Sequence, residues 1–216
     1  MLRKFMKHQK GITGLETAII LIAFVVVAAV FAYTALSAGL FSTQKGQEAV
    51  YSGLREAQSS LELRGNVVAT AGTVGAENTG TVQQISFVVS NVLKGEPIDF
   101  TAPSANTSSN NGLAATNSTN KLVINYIDQN ETLNDLYWTV TKLGNSDDDD
   151  LLEDGEKFKV TIGESSGTAG GNLVTALTTD LTANQQFSLV LQTPVGAVLE
   201  IERTVPAYVD AIMNLR

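Results

Sequence analysis

Residues 17–44 read TAIILIAFVVVAAVFAYTALSAGLFSTQ, a run of 28 positions without a charged side chain. As an α-helix this run spans roughly 40 Å, at about 1.5 Å per residue, which exceeds the apolar thickness of a bilayer, about 30 Å. It is too long for an ordinary secretory signal, and no cleavage site of small residues follows it. The run therefore predicts a helix that must be covered by lipid or by a bundle of identical helices.

The helical pattern continues beyond the apolar run, as QKGQEAVYSGLREAQSSLELRG. Apolar positions recur there at i, i+4, i+7 and i+11, on one face of a helix: Val50, Leu54, Ala57 and Leu61. Arg64 followed by Gly65 is a typical helix stop. We therefore predict one helix over residues 12–64, which is apolar on all sides in its first half and amphipathic in its second.

Three glycines recur every seven residues within this predicted helix, at Gly39, Gly46 and Gly53. Small residues allow helix backbones to approach closely where lipid does not drive packing. Each glycine also weakens a helix by about 1 kcal/mol, so chance or local flexibility is the alternative to close packing or a bend. We predict that the three glycines belong to an assembly surface.

Residues 65–216 predict an all-β domain. Hydrophobicity alternates strictly over residues 158–162 and, within the predicted strand 198–202, from residue 199 onward; further strands are predicted at 82–89, 122–127, 136–141 and 187–191. Pro194 and Gly196 suit a type I turn between the last two strands, and residues 208–216 form a short strand or a turn of helix. The predicted fold class is α+β: a long hydrophobic helix followed by an antiparallel β-sandwich or barrel, Ig-like in its strand spacing.

Composition excludes most enzyme classes. The 216 residues contain no cysteine and one histidine, His8. Disulfides, thiolate metal sites and thiol nucleophiles are therefore excluded, and a Ser-His-Asp triad or histidine acid–base chemistry is not expected. We predict that the chain is not an enzyme and that it needs no cofactor.

Charge is unevenly distributed along the chain. The net charge is −8, and Arg3, Lys4, Lys7 and Lys10 precede the first acid, Glu16, so the leader carries +4 and the remainder −12. A sequence pI of about 4.6 argues against nucleic acid as a partner. Cations just before an apolar helix predict a cytoplasmic N-terminus and an external remainder.

The junction Lys10-Gly11-Ile12-Thr13-Gly14-Leu15-Glu16 resembles the class III signal of type IV pilin-like proteins. The resemblance implies cleavage after Gly11 by a prepilin-type peptidase, with residues 1–11 as the signal peptide. An ordinary signal anchor, which would leave a single-pass protein with an external β-domain, is the alternative.

The longer run ITGLETAIILIAFVVVAAVFAYTALSAGLFSTQKGQEAVYSGL resembles the N-terminal helix of archaellins, the archaeal flagellins. The resemblance covers roughly residues 10–65; beyond it only the all-β character matches. It implies an extracellular filament with helices bundled at its centre and β-domains as its wall, rotated for swimming. Implied partners are copies of the chain, sibling archaellins, the peptidase, the archaellum assembly and motor platform, and the membrane before assembly. An adhesive type IV pilin, or a membrane-anchored surface-binding β-domain, is the alternative function.

Glu16 is the fifth residue of the predicted mature helix. Cleavage gives Ile12 a free ammonium group, and a carboxylate in a helical bundle is costly unless it is paired. We predict that Glu16 pairs with Ile12 of a neighbouring subunit and so fixes the axial stagger of the helices. Interaction with its own helix terminus is the alternative.

The β-domain carries two further signals. Asn106, Asn117 and Asn130 begin N-glycosylation sequons in one loop-rich stretch, which predicts a glycoprotein. The acidic stretch 147–156 offers Asp147, Asp149, Asp150 and Glu153 as candidate Ca²⁺ ligands, although the EF-hand spacing is absent. A solvated acidic loop is the alternative, and the resemblance supplies no ligand set for these positions.

Overall fold

The computed structural model describes residues 2–93, 96–106, 111–164 and 170–215, and only the backbone of residues 2–13. The chain divides into two compact units, Met1–Ser52 and Gly53–Arg216. The first unit is helical throughout its described length. We call the second unit the head.

The long helix α1 spans Leu2–Gln58. Every side chain from residue 14 to residue 57 is exposed, including large apolar ones from Leu54, at 48% exposure, to Leu36, at 75%. Its segment Gly14–Gln58 is long and apolar enough to cross a membrane, with a mean hydropathy of 2.8 in its most apolar window. The predicted helix over the apolar run is confirmed, and we call its exposed surface, residues 14–57, the bare helix.

The predicted end of the helix at residue 64, and with it the boundary between residues 12–64 and 65–216, is wrong. Helix α1 ends at Gln58, and Leu61–Leu63 forms the first strand, β1, of the head. Ser60 donates its hydroxyl hydrogen bond to the carbonyl of Glu56 at 3.0 Å, a local bond that competes with helix continuation. Leu61 is only 6% exposed, because strand pairing buries a side chain that an extended helix would leave in solvent.

The head consists of short strands in antiparallel pairs. After β1, the strands of the described ranges are β2 (Val67–Thr73), β3 (Gly75–Ala76), β4 (Thr81–Asn91), β5 (Ile98–Asp99), β6 (Val123–Asp128), β7 (Thr132–Leu133), β8 (Trp138–Leu143), β9 (Leu151–Leu152), β10 (Lys157–Ile162), β11 (Gln186–Gln192), β12 (Leu199–Thr204), β13 (Tyr208–Val209) and β14 (Ile212–Leu215). A short helix, α2, spans Leu173–Ala176, and a 3₁₀ turn spans Glu77–Thr79.

Two main sheets organise these strands. The larger has the order β14-β2-β4-β10-β8, with β1 also paired to β4, and the smaller has the order β12-β11-β6-β7. The remaining strands form two small pairs, β13 with β3 and β5 with β9. The antiparallel all-β prediction is confirmed, as are the predicted strands at β4, β6, β8, β10, β11 and β12.

Both sheets contribute to one hydrophobic core. Phe100 packs edge-to-face against Trp138 and Phe158, at centroid distances of 6.1 and 5.6 Å. Tyr126 stacks on Phe187 in the smaller sheet at 5.9 Å. The two sheets therefore form a sandwich, and in strands such as β10 and β11 alternate residues are buried in the core.

The predicted turn at residues 193–196 connects β11 to β12. Gly196 adopts φ +124°, and a Cβ atom at this position would collide with the carbonyl oxygen of Ser59. Glycine is required here for its conformation and for the close approach of the chain that follows α1. Residues 208–215 contain strands β13 and β14, so the end of the chain forms strand and not the alternative turn of helix.

We expect a head fragment of residues 59–216 to be soluble, monomeric and β-rich, and more stable than a fragment of residues 66–216. The shorter fragment lacks β1 and the buried side chain of Leu61, worth about 2–3 kcal/mol of unfolding free energy. Urea unfolding followed by circular dichroism measures the difference. Leu61→Ala in the longer fragment is the matched control and should cost a similar amount; equal midpoints for all three proteins would contradict the role of β1.

Candidate assembly surface

The bare helix has no covering layer among the described residues. Around Gly46 it presents a shallow apolar cleft lined by Thr43, Gln47, Val50 and Tyr51. Val50 and Tyr51 are 69% and 66% exposed. A soluble chain rarely exposes a continuous apolar surface of this length, so the surface requires a partner that is itself apolar.

The three spaced glycines meet no atom of their own chain. A Cβ atom built at Gly39, Gly46 or Gly53 would have nothing within 4 Å outside the local helix backbone. Helix α1 is also continuous through all three positions. No contact within the described part of the chain therefore explains glycine at these positions, and any requirement for it must come from another molecule.

Glu16 lies exposed on α1, next to Leu15 and close to Ile19 and Ile20, which are 59–68% exposed. Its carboxylate has no hydrogen bond or ion pair with any side chain that the structure describes. Nearby, Thr17 donates its hydroxyl hydrogen bond to the carbonyl of Gly14 at 3.1 Å. Glu16 is thus a charge available to an external partner in an apolar environment.

The predicted cleavage residues Lys10, Gly11 and Ile12 lie on the helical backbone of α1, but their side chains are outside the described residues. The predicted pair between Glu16 and Ile12 of a neighbouring subunit stays a prediction. The three residues are recognised as a cleavage site only by their order in the sequence.

The four candidate ligands of the acidic loop are Asp147, Asp149, Asp150 and Glu153. Within the described ranges, none of them belongs to a group of three or more acidic or histidine side chains that could hold a metal ion. The carboxylate of Asp149 accepts from the backbone of Leu151 at 2.8 Å, and Asp150 pairs with Lys142 at 3.1 Å. The backbone N–H of Glu153 donates to the buried carboxylate of Glu156 at 3.0 Å. The arrangement is that of carboxylates closing the turns of their own loop.

The three sequons have different surroundings. Asn117 is exposed in a turn. Asn130 is exposed in the tight connection between β6 and β7, where the carboxylate of Asp128 accepts its backbone N–H at 2.7 Å. Asn106 is half-buried, and Thr107 and Ser108, which complete its sequon, lie outside the described residues. Asn117 and Asn130 are therefore the more accessible acceptors.

Comparisons with known proteins agree on one family. The family model described as archaeal-type flagellin matches residues 11–203. A relative from Archaeoglobus fulgidus, probable flagellin 1, is 34% identical over 98% of both chains, and probable flagellin 1 of Aeropyrum pernix is 32% identical over 94% of this chain and 95% of its own. The solved archaeal flagellum of Methanospirillum hungatei strain JF1 is similar in structure, with a TM-score of 0.58, 28% identity and coverage of 94% of this chain and 98% of that chain.

Proposed function

Because the chain belongs to the archaeal-type flagellin family, we propose that it is built into the archaellum through the bare helix α1. The chain is a structural subunit of the archaeal motility filament, an extracellular filament on the cell surface. The family does not favour the alternative of an adhesive pilin. The observation that carries the proposed mode of assembly is the exposure of every side chain from residue 14 to residue 57.

Two environments cover the bare helix in turn. Before assembly it lies in the cytoplasmic membrane, with its N-terminus inside, as the basic leader and the hydropathy of the segment Gly14–Gln58 favour. In the filament it packs against copies of itself. Since lipid covers apolar side chains as well as a neighbouring helix does, close backbone packing must supply the preference for the bundle. Gly39, Gly46 and Gly53 are the positions that allow it.

Deletion and complementation test this function. A strain that lacks the chain should lose its swimming and its surface filaments in electron microscopy, and the intact chain should restore both. A variant with Gly11→Leu in the complementing copy should remain in the membrane fraction and restore neither. Normal swimming and normal filaments in the deletion strain would contradict an essential structural role.

We expect filament subunits to begin at Ile12. A prepilin-type peptidase acting after Gly11 removes the +4 leader, which otherwise holds the N-terminus in the cytoplasm and opposes transfer into the filament. N-terminal peptides of purified filaments, read by mass spectrometry, measure the cleavage point. The peptide of residues 1–11 should be found in the membrane fraction of a peptidase-deficient strain, and its presence in assembled filaments would contradict processing at this site.

We expect Asn117 and Asn130 to carry N-glycans in filaments. Both side chains are exposed in turns, where a transferase can reach them, whereas Asn106 is half-buried. Mass spectrometry of head peptides measures occupancy at each position. Thr132→Ala is the matched control, because it destroys the sequon and leaves Asn130 in place. Unmodified Asn117 and Asn130 in native filaments would contradict the assignment.

The other proposed partners follow from membership in the filament. The assembly and motor platform receives the processed subunit at the membrane, and sibling archaellins share the same helical bundle. Both partners are expected to contact the bare helix before the head, because α1 is the part of the chain that enters the membrane.

A further inference from the structure

The two outward faces of the head sandwich carry opposite free charges. In β10 the side chains alternate, so that Phe158 and Val160 enter the core while Lys157 and Lys159 are exposed on the outward face of the larger sheet. In β12, Ile201 enters the core while Glu200 and Glu202 are exposed on the outward face of the smaller sheet. We call these the lysine face and the glutamate face.

The lysines have no charge partner in the part of the head that the structure describes. Neither Lys157 nor Lys159 has an ion-pair or hydrogen-bond partner within the described residues. Cross-strand neighbours of Lys159 are Val88 on β4 and Thr141 on β8, both uncharged. Beyond β4, the carboxylate of Glu62 on β1 is paired with Arg64 at 2.8 Å.

No carboxylate of the acidic loop between β8 and β10 forms an ion pair with Lys157 or Lys159 among the described residues. Its Asp150 is held by Lys142, at 3.1 Å. Lys142 pairs in register with Phe158, and directly paired residues share one side of a sheet. The side chain of Lys142 therefore lies on the core side of the larger sheet, opposite to the side chains of Lys157 and Lys159.

On the glutamate face, the cross-strand neighbours are also uncharged. Glu200 lies opposite Val190, and Glu202 lies opposite Ser188. Glu202 accepts a hydrogen bond from the amide of Gln186, and Glu200 has no partner within the described residues. Lys121, which precedes β6, is neutralised by Asp99 at 2.7 Å. Burial alone raises the pKa of Asp99, but hydrogen bonds from Lys121 and Thr101 outweigh it and lower the pKa to about 2, so this pair persists at neutral pH.

The two charge pairs are equal in spacing and opposite in sign. Each consists of residues i and i+2 on one strand, which lie about 6.7 Å apart. Two like charges at this distance repel each other, and a second surface with the opposite pair at the same spacing relieves both repulsions at once. Because the two faces lie on opposite sides of one sandwich, they cannot meet within one head.

We infer that the lysine face of one subunit binds the glutamate face of the next subunit in the filament wall. This inference rests on the proposed function, because it needs heads that the helical bundle holds side by side. A contact between two different faces of the same chain is heterologous, and such contacts generate open helical assemblies rather than closed dimers.

The size of the faces explains why the helices are needed. Five strands of the larger sheet at about 4.8 Å and six residues at about 3.3 Å give a face of roughly 24 by 20 Å, or about 480 Å², and the four strands of the smaller sheet give a smaller one. A stable complex of independent proteins covers about 800 Å² on each partner. The heads alone therefore stay monomeric, and the face-to-face contact forms when the helical bundle raises their effective concentration.

Charge reversal in the full-length chain tests the contact. We expect Lys157→Glu/Lys159→Glu and Glu200→Lys/Glu202→Lys each to lower filament yield at least fivefold at low salt. Filaments of either variant should become more heat-stable as salt screens the repulsion between like faces, whereas wild-type filaments should become less so. Co-expression of the two variants should restore the yield, because faces of opposite charge then alternate along the wall.

The matched control is Glu77→Lys/Asp210→Lys, which makes the same change in net charge at exposed positions outside the smaller sheet. It should assemble normally and should not rescue the lysine-reversal variant. Circular dichroism of each variant confirms that its head is folded. Wild-type yield, heat stability and salt response in both reversal variants would overturn the contact and leave the proposed function intact; a wild-type chain that forms no filament would count against the proposed function itself.

Discussion

Replacing Glu16 by Gln should leave cleavage after Gly11 intact and reduce filament assembly by at least about tenfold. Glutamine keeps the size and removes the charge, so the ammonium of Ile12 in a neighbouring subunit is left unpaired in apolar surroundings. Removing one partner of a buried ion pair costs about 3–5 kcal/mol, which corresponds to a factor well above ten. Glu16 is exposed and has no partner among the described side chains of its own chain, so a partner inside a bundle has to come from another subunit.

The measurement is the ratio of processed subunit in filaments to processed subunit in the membrane. Glu48→Gln is the matched control, because Glu48 lies on the same helix but pairs with Lys45 of its own chain at 2.6 Å, with both side chains well exposed. Such a surface pair is worth about 0–1 kcal/mol, so this variant should assemble and swim. Normal processing, assembly and swimming of the Glu16 variant would mean that this carboxylate interacts only with the terminus of its own helix.

Replacing Gly46 by Leu should abolish filaments while leaving the single chain at least as stable as before. A Cβ atom at this position meets nothing within 4 Å, and leucine favours a helix over glycine by roughly 0.8 kcal/mol. In the bundle, however, the added side chain keeps neighbouring backbones apart at the point where small residues let them approach. The variant therefore separates the stability of the chain from its ability to polymerise.

Helical content in detergent and filament yield in cells provide the two readouts. Gln44→Leu adds a similar side chain two positions earlier, about 160° around the helix from Gly46, and should reduce assembly far less. Gly46→Ala should fall between the two variants, because its single methyl group occupies part of the space. A wild-type yield of filaments from the Gly46→Leu variant would mean that this glycine is not at a helix contact.

The sequence predicts some elements of this fold better than others, for physical reasons. Strand β10 alternates lysine with large apolar residues, and burial follows this pattern residue by residue. Strand β2, VVATAGT, is not predicted, because its small residues give no contrast in hydrophobicity between alternate positions. Two register shifts also interrupt its pairing with β4. Leu61 fits the apolar face of a helix and also a strand of the core. The pairing of β1 with β4, which the sequence does not reveal, determines that it forms a strand.

The assembly surface is visible in the sequence because exposure of α1 follows from its composition alone. Glu16 and the glycines can be singled out without any tertiary contact. The lysine and glutamate faces cannot, because their separation depends on which strands lie in which sheet. Lys157 and Glu200 are both exposed residues of alternating strands in sequence, and only the pairing of β10 with β4 and of β12 with β11 places them on opposite faces.

Strand β1 follows α1 after only Ser59 and Ser60, and it pairs with β4, which lies at the centre of the larger sheet. Force or torque on the last turn of the helix, which belongs to the head, therefore passes to β4 through a hydrogen-bonded strand. Arg55, in the last turn of the helix, adds a second attachment through Glu96 at 3.0 Å. The joint is therefore a short mechanical coupling of paired residues, from the last helical turn to the centre of the larger sheet, rather than a flexible linker.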